Sequence, residues 1–192
     1  MTWTTKIQFM RKLKTTELNR LSTEEFKSAE KLPVIVVLDN IRSAANIGSV
    51  FRTCDAFLVE AIYLVGICAK PPNRDIQKSA LGATETVTWK YFETIKDCIA
   101  ALRDNQFEIL TVEQSDNSIL LNEFMPLTNK KYALIFGNEV EGVSDFAMQY
   151  CDTCLEIPQF GMKHSLNISV SAGIVIWEFA RKLQMKNLNK RK

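Results

Sequence analysis

Val34-Ile-Val-Val-Leu38 is apolar at every position and mostly β-branched, the pattern of a strand buried on both faces. Ala61-Ile-Tyr-Leu-Val65 and Tyr132-Ala-Leu-Ile-Phe136 repeat that pattern. Val87–Trp89, Glu108–Val112 and Thr153–Ile157 are shorter segments that read as strands. Between them the period changes. Asn46–Phe57 predicts a helix with Ile47, Val50, Phe51 and Cys54 on one face. Further helices are expected at Ile95–Leu102, Asp145–Tyr150 and Ser169–Met185, with a short one at Asp75–Ala80 inside the loop region 66–86. Ser22 and Glu25 fit a capping box that opens a short helix ending before Pro33. Residues 114–130 are polar and predict loop. Alternating strands and helices, with several strands apolar throughout, give an α/β fold: a parallel sheet covered by helices.

The chain of 192 residues suits one domain with a full core. No repeat, low-complexity segment or linker divides it. No apolar run reaches the roughly 18 residues of a membrane helix, and Met1-Thr-Trp-Thr-Thr-Lys-Ile lacks the apolar centre of a signal peptide. A cytoplasmic protein without membrane contact is expected. Five cysteines, an odd number, then suggest no disulfide framework.

Net charge is only +2, but it is unevenly placed. Residues 1–31 carry +3 and residues 181–192 carry +6, leaving −7 between them. Basic ends on an acidic body fit a polyanion partner held through phosphates; a solvated, frayed C-terminal helix accounts for the tail equally well.

Three polar loops follow apolar strands, at the positions where open α/β sheets bind ligands. The first, 38–52, places Asn46, Gly48 and Arg52 near a helix start. Arg52 offers a fork of donors to a phosphate; the plainer reading is an N-cap Asn, a packing Gly and a surface Arg. The second, Phe136-Gly-Asn-Glu-Val-Glu-Gly-Val-Ser144, is neither a dinucleotide fingerprint nor a phosphate loop. Its two acids repel pyrophosphate and tolerate a cation or a ligand rich in hydroxyls and amines. The plainer reading is a turn between glycines. The third, Gly161–Val170, follows Leu155-Glu-Ile-Pro158 and opens the last helix.

His164, the one histidine, rules out a multi-histidine metal site and reads as a surface loop residue. Cys151 and Cys154 have redox or half-zinc spacing, but Cys54, Cys68 and Cys98 stand singly, so structural roles are favoured and no metal is expected.

Taken in order, the three loops resemble the three motifs of the SpoU/TrmH branch of the SPOUT RNA methyltransferases. Asn46, Gly48 and Arg52 match Asn-x-Gly-x-x-x-Arg; Gly137, Glu139 and Gly142 match Gly-x-Glu-x-x-Gly. Ser165-Leu-Asn-Ile-Ser169 after Ile157-Pro158 matches the third. The match spans residues 34 to 180. The resemblance implies a three-layer α/β fold with a deep C-terminal trefoil knot, which pattern reading does not produce because knots are rare. It implies a homodimer with the active site near the subunit interface. It divides the chain into a short basic extension (1–32), the methyltransferase domain (33–185) and a basic tail (186–192). Members commonly carry a further N-terminal RNA-binding domain, so a minimal member is expected.

The activity implied is methyl transfer from S-adenosylmethionine to a ribose 2′-hydroxyl in RNA, leaving S-adenosylhomocysteine. By the same resemblance Gly137, Ile157, Leu166, Ser165, Val112 and Glu113 hold the cofactor, and Arg52, Asn46, Glu139, Asn167 and Ser165 serve catalysis. Arg52 is often described as the family's base. A guanidinium keeps its proton throughout the neutral range, so we read Arg52 as a group that holds RNA phosphate and stabilises developing alkoxide. Lys6, Arg11, Lys12 and Lys14 are expected to touch RNA backbone. The compact chain with basic ends favours tRNA, with ribosomal RNA the alternative. Two rivals remain at this level: a non-catalytic RNA-binding protein of the same fold, and a hydrolase using Ser165 and His164. The hydrolase lacks the Gly-x-Ser-x-Gly elbow.

Overall fold

Among the described residues, the six strands expected from the sequence and one further strand form a seven-stranded sheet, parallel throughout, in the order β3-β2-β1-β6-β4-β7-β5. In chain order these are β1 (Leu32–Asp39), β2 (Val59–Val65), β3 (Thr88–Phe92), β4 (Phe107–Val112), β5 (Ile119–Leu120), β6 (Lys131–Phe136) and β7 (Thr153–Glu156). The helices are α1 (Thr23–Ser28), α2 (Ala44–Ala56), α3 (Arg74–Ala80), α4 (Ala83–Thr86), α5 (Ile95–Asp104), α6 (Asp145–Tyr150) and α7 (Ile168–Leu183). The computed structural model describes residues 11–14, 17–18, 20–162 and 165–184. Lys6, His164 and the tail 186–192 lie outside the described residues.

Alternation along β1 shows the layers. Val34, Val36 and Leu38 face a core shared with Ile47, Val50 and Phe51 of α2 and with Val175, Ile176 and Phe179 of α7. Ile35 and Val37 face a second core with Cys98, Ile99 and Leu102 of α5 and Ala147 of α6. A strand buried on both faces has no polar side to show, which is why these runs carry no period-two polarity. Three layers result.

The differences from the expected elements are local. Ser43, not Asn46, caps α2: its Oγ accepts the N–H of Asn46 at 3.2 Å, so the helix starts two residues earlier than periodicity indicates. α4 and β5 fall inside segments read as loop. β5 is two residues long and exists because Ile119 and Leu120 pair with Leu155 and Glu156. That is a tertiary cause with no local signal. Ser22 caps α1 in the expected box with Glu25. Phe26 of α1 is buried in the first core, so this part of residues 1–32 packs on the sheet domain.

All strands run the same way, so β1, β6, β4 and β7 release their chains at one edge. β7 is inserted between β4 and β5, which are themselves joined by residues 113–118. The loops after β1, β6 and β7 are the three polar loops of the sequence, and the sheet brings them together.

Candidate active site

Each loop is shaped by its own sequence. After β6, Asn138 Oδ1 accepts the N–H groups of Val140 and Glu141, both at 2.9 Å, folding the loop back on itself. The N–H of Asn138 donates to Gly142 O and that of Gly142 to Asn138 O, at 3.1 and 3.0 Å, which closes the turn. Gly142 has φ +70°, a conformation that costs glycine little. After β7, Asn167 caps α7 by accepting from Ser169 N at 2.9 Å and from Ser169 Oγ at 2.7 Å.

The three loops meet through side chains. Asn46 Nδ2 donates to Glu139 Oε1 at 2.8 Å, and Asn167 Nδ2 donates to Asn46 Oδ1 at 3.3 Å. A relay Asn167–Asn46–Glu139 therefore joins one residue from each motif. Gly48 has a different task. A Cβ there would stand 2.3 Å from the carbonyl oxygen of Ile76 and 2.1 Å from Ser79 Oγ, so Gly48 lets α2 and α3 approach closely.

Beside the relay lies a hollow of about 570 Å³, a size that suits a nucleoside-sized ligand. Its apolar wall includes Val112, Phe136, Ile157, Leu166 and Ile168, while Glu113, Glu139 and Glu141 supply carboxylates. No Lys or Arg stands among the described lining residues. The electrostatics favour a cationic or hydroxyl- and amine-bearing ligand over a phosphate.

Every residue expected to hold the cofactor lines this hollow: Gly137, Ile157, Leu166, Ser165, Val112 and Glu113. Of the expected catalytic residues, Glu139, Asn167 and Ser165 line it, and Asn46 reaches it through Glu139. Arg52 does not line it; it stands exposed on α2. Gln159 and Ser171 line the hollow without having been expected, and no pattern in the sequence marks them. Val140 lies between Glu139 and Glu141, and that adjacency was its one available signal.

Arg11, Lys12 and Lys14 are exposed. Arg11 forms a two-pronged pair with Glu17, at 2.7 and 2.9 Å, so its charge already has a partner. Cys151 Sγ donates to Met148 O at 3.2 Å and Cys154 Sγ to Glu113 O at 3.4 Å. Burial pushes the Cys98 thiol up to about 12, with the negative charge of Asp39 adding to it, and burial raises Cys54 and Cys68 as well. Such thiols stay protonated and are poor nucleophiles.

A model of the SpoU rRNA Methylase family matches residues 33–177. Among curated relatives, the 23S rRNA (guanosine-2'-O-)-methyltransferase RlmB of Neisseria meningitidis serogroup B is 32% identical over 155 residues. That match covers 81% of this chain and 61% of the relative's length. The tRNA (guanosine(18)-2'-O)-methyltransferase of Aquifex aeolicus is 29% identical over 161 residues, covering 82% of this chain and 74% of the relative. The crystal structure of the A. aeolicus TrmH/SpoU tRNA modifying enzyme superposes with a TM-score of 0.75 at 27% identity, over 88% of this chain and 83% of that one.

Proposed function

This chain belongs to the SpoU rRNA methylase family, and from that premise we propose that it transfers a methyl group from S-adenosylmethionine to a ribose 2′-hydroxyl of RNA, with tRNA the favoured substrate. The observation that carries the reading is the Asn167–Asn46–Glu139 relay standing beside an acid-lined hollow free of described basic residues. The hollow fits S-adenosylmethionine: its apolar wall would suit adenine, and the carboxylates in its lining would suit a positive sulfonium and ammonium. Bound S-adenosylmethionine supplies an electrophilic methyl group.

The chain's own residues then have distinct tasks. Val112, Gly137, Ile157 and Leu166 would enclose the adenine, Ser165 would meet the polar parts of the cofactor, and Glu113 would wall the site beside them. Asn46, Glu139 and Asn167 order the rim where the ribose enters, and orientation of this kind is a large part of the barrier in a displacement. Arg52, exposed on α2, meets RNA phosphate and steadies the negative charge that grows on the 2′-oxygen. The intact relay favours catalysis over RNA binding alone. Ribosomal RNA is the alternative substrate, favoured by the Neisseria relative.

Three further elements belong to the same reading. The segment after β7 passes through the loop that joins β4 to β5, forming the knot; the insertion of β7 between those strands supports this. A second copy covers α7, whose Val170, Ile174 and Trp177 fall on one face and stay 49%, 37% and 45% exposed. The division at residues 32 and 185 and a cytoplasmic location complete it; no helix among the described residues is long and apolar enough to cross a membrane.

Cofactor titration with wild type and Arg52→Ala tests the roles. The expected result is equal affinity for S-adenosylmethionine in both, with transfer lost by at least about 10²-fold in the variant. Full transfer by a folded Arg52→Ala protein contradicts the assignment.

A further inference from the structure

Two carboxylates stand at the ends of the strands that flank β6. Asp39 closes β1 and is 1% exposed. Glu113 follows β4 directly. Both reach the backbone where the loop after β6 returns to the body: Glu113 Oε2 accepts the N–H of Val143 and Asp39 Oδ2 accepts the N–H of Ser144, each at 3.1 Å. Their other oxygens are also taken. Asp39 Oδ1 accepts from Asn40 Nδ2 at 2.8 Å, and Glu113 Oε1 accepts from the N–H of Gln114 at 2.9 Å.

The loop needs this anchorage. From Gly137 to Gly142 its described polar contacts are the closed turn itself and the bond from Asn46 to Glu139. The two glycines make room for it. A Cβ on Gly137 would stand 1.9 Å from the Gly142 carbonyl carbon, and one on Gly142 would stand 2.3 Å from Glu113 Oε2. Gly142 thus lacks a side chain where the Glu113 carboxylate must pass. Consecutive amides, held from opposite sides by two strand ends, fix both the height and the tilt of the loop. Charge-assisted bonds from backbone N–H to carboxylate are stronger than neutral ones, and the buried one is shielded from competing water.

We propose that Asp39 and Glu113 are positioning residues: together they clamp the amides of Val143 and Ser144, and so set the loop that presents Glu139 to Asn46 and walls the cofactor hollow. Glu113 then acts chiefly through the loop and not by its charge on the ligand. This inference rests on the proposed cofactor reading. Site preorganisation of this kind depends on the shell behind the contacting groups.

The test combines site-resolved amide hydrogen exchange of the ligand-free protein with calorimetric titration of S-adenosylmethionine, on wild type, Glu113→Ala, Glu113→Gln and Asp39→Asn. In Glu113→Ala the Val143 amide is expected to exchange at least about tenfold faster, while amides inside β1 and β6 keep their wild-type protection. Cofactor affinity should fall about tenfold. Glu113→Gln keeps one acceptor oxygen and should recover most of that loss; a role through charge on the ligand predicts no recovery. In Asp39→Asn the Ser144 amide should exchange faster in the same way. If Asp39→Asn does not fold, the Glu113 pair carries the test. Unchanged exchange at Val143 in folded Glu113→Ala, or faster exchange with unchanged affinity, overturns the clamp. Wild type that binds no S-adenosylmethionine overturns the cofactor reading instead, and the exchange arm still reports on the clamp.

Discussion

Asn46 bonds in two directions, donating a hydrogen bond to Glu139 and accepting one from Asn167, and no other described residue hydrogen-bonds to both of the other motifs. Truncating it leaves Glu139 and Asn167 without their fixed partners at the rim where the proposed reaction would align the ribose. Asn46→Ala is expected to lower methyl transfer by about 10²-fold, the scale at which misorientation is felt. The melting temperature should move little, because the bonded groups are exposed at the surface. A transfer assay beside a thermal melt checks this; undiminished transfer would show the relay to be incidental. The sequence placed Asn46, Gly48 and Arg52 in one motif but could not separate their tasks. Spacing alone suggested a capping Asn, and the cap turned out to be Ser43. The packing role suggested for Gly48 agrees with its closeness to α3. Asp39 was passed over because an acid ending an apolar strand looks like an ordinary boundary until its partner, 105 residues away, is seen.

α7 shows how an element can use charges that the sequence counts as surface. The basic run 181–192 reads as a patch for a polyanion, yet Lys182 is 8% exposed. Its ammonium donates to the carbonyls of Leu121, Asn122 and Phe124 and pairs with Glu178 at 2.9 Å. It ties the closing helix to the segment after β5. Arg181 pairs with the same carboxylate in two prongs, at 2.7 and 2.8 Å. The Arg181 bonds, with Lys182 adding, hold the Glu178 carboxyl down to about 2. A carboxyl depressed in the folded state stabilises fully above its unfolded value, near 4.5, and that contribution is lost as pH falls from there towards 2. Glu178→Gln should therefore melt below wild type at pH 7, and the gap should narrow steadily between pH 4.5 and 2. A gap that stays constant across that window would show that the pair contributes nothing. Helix α7 itself was legible from its apolar period. The burial of Lys182 was not, since it depends on carbonyls supplied some sixty residues earlier.

The whole molecule follows from parallel strands whose ends gather three distant loops on one edge. That much was legible: long apolar runs gave the central strands, and the change of period between them gave the covering helices. The order of the strands was not, because β7 enters between β4 and β5 through tertiary pairing that no local pattern records. The exposed face of α7 belongs to this scale too. Trp177 meets Phe57 edge-on at 5.8 Å and remains 45% exposed, leaving apolar surface beside Val170 and Ile174 that the proposed second copy would cover. Light scattering is expected to give twice the chain mass for wild type and a single chain for Ile174→Glu, since a buried unpaired charge opposes the contact. A monomeric wild type would remove the dimer from the account. The most direct test of the central claim is transfer of labelled methyl from S-adenosylmethionine to total tRNA and, separately, to ribosomal RNA, followed by nucleoside analysis. The account predicts label in a 2′-O-methylated nucleoside, from tRNA first. Label on a base, or no label in either pool from protein that binds the cofactor, would contradict it.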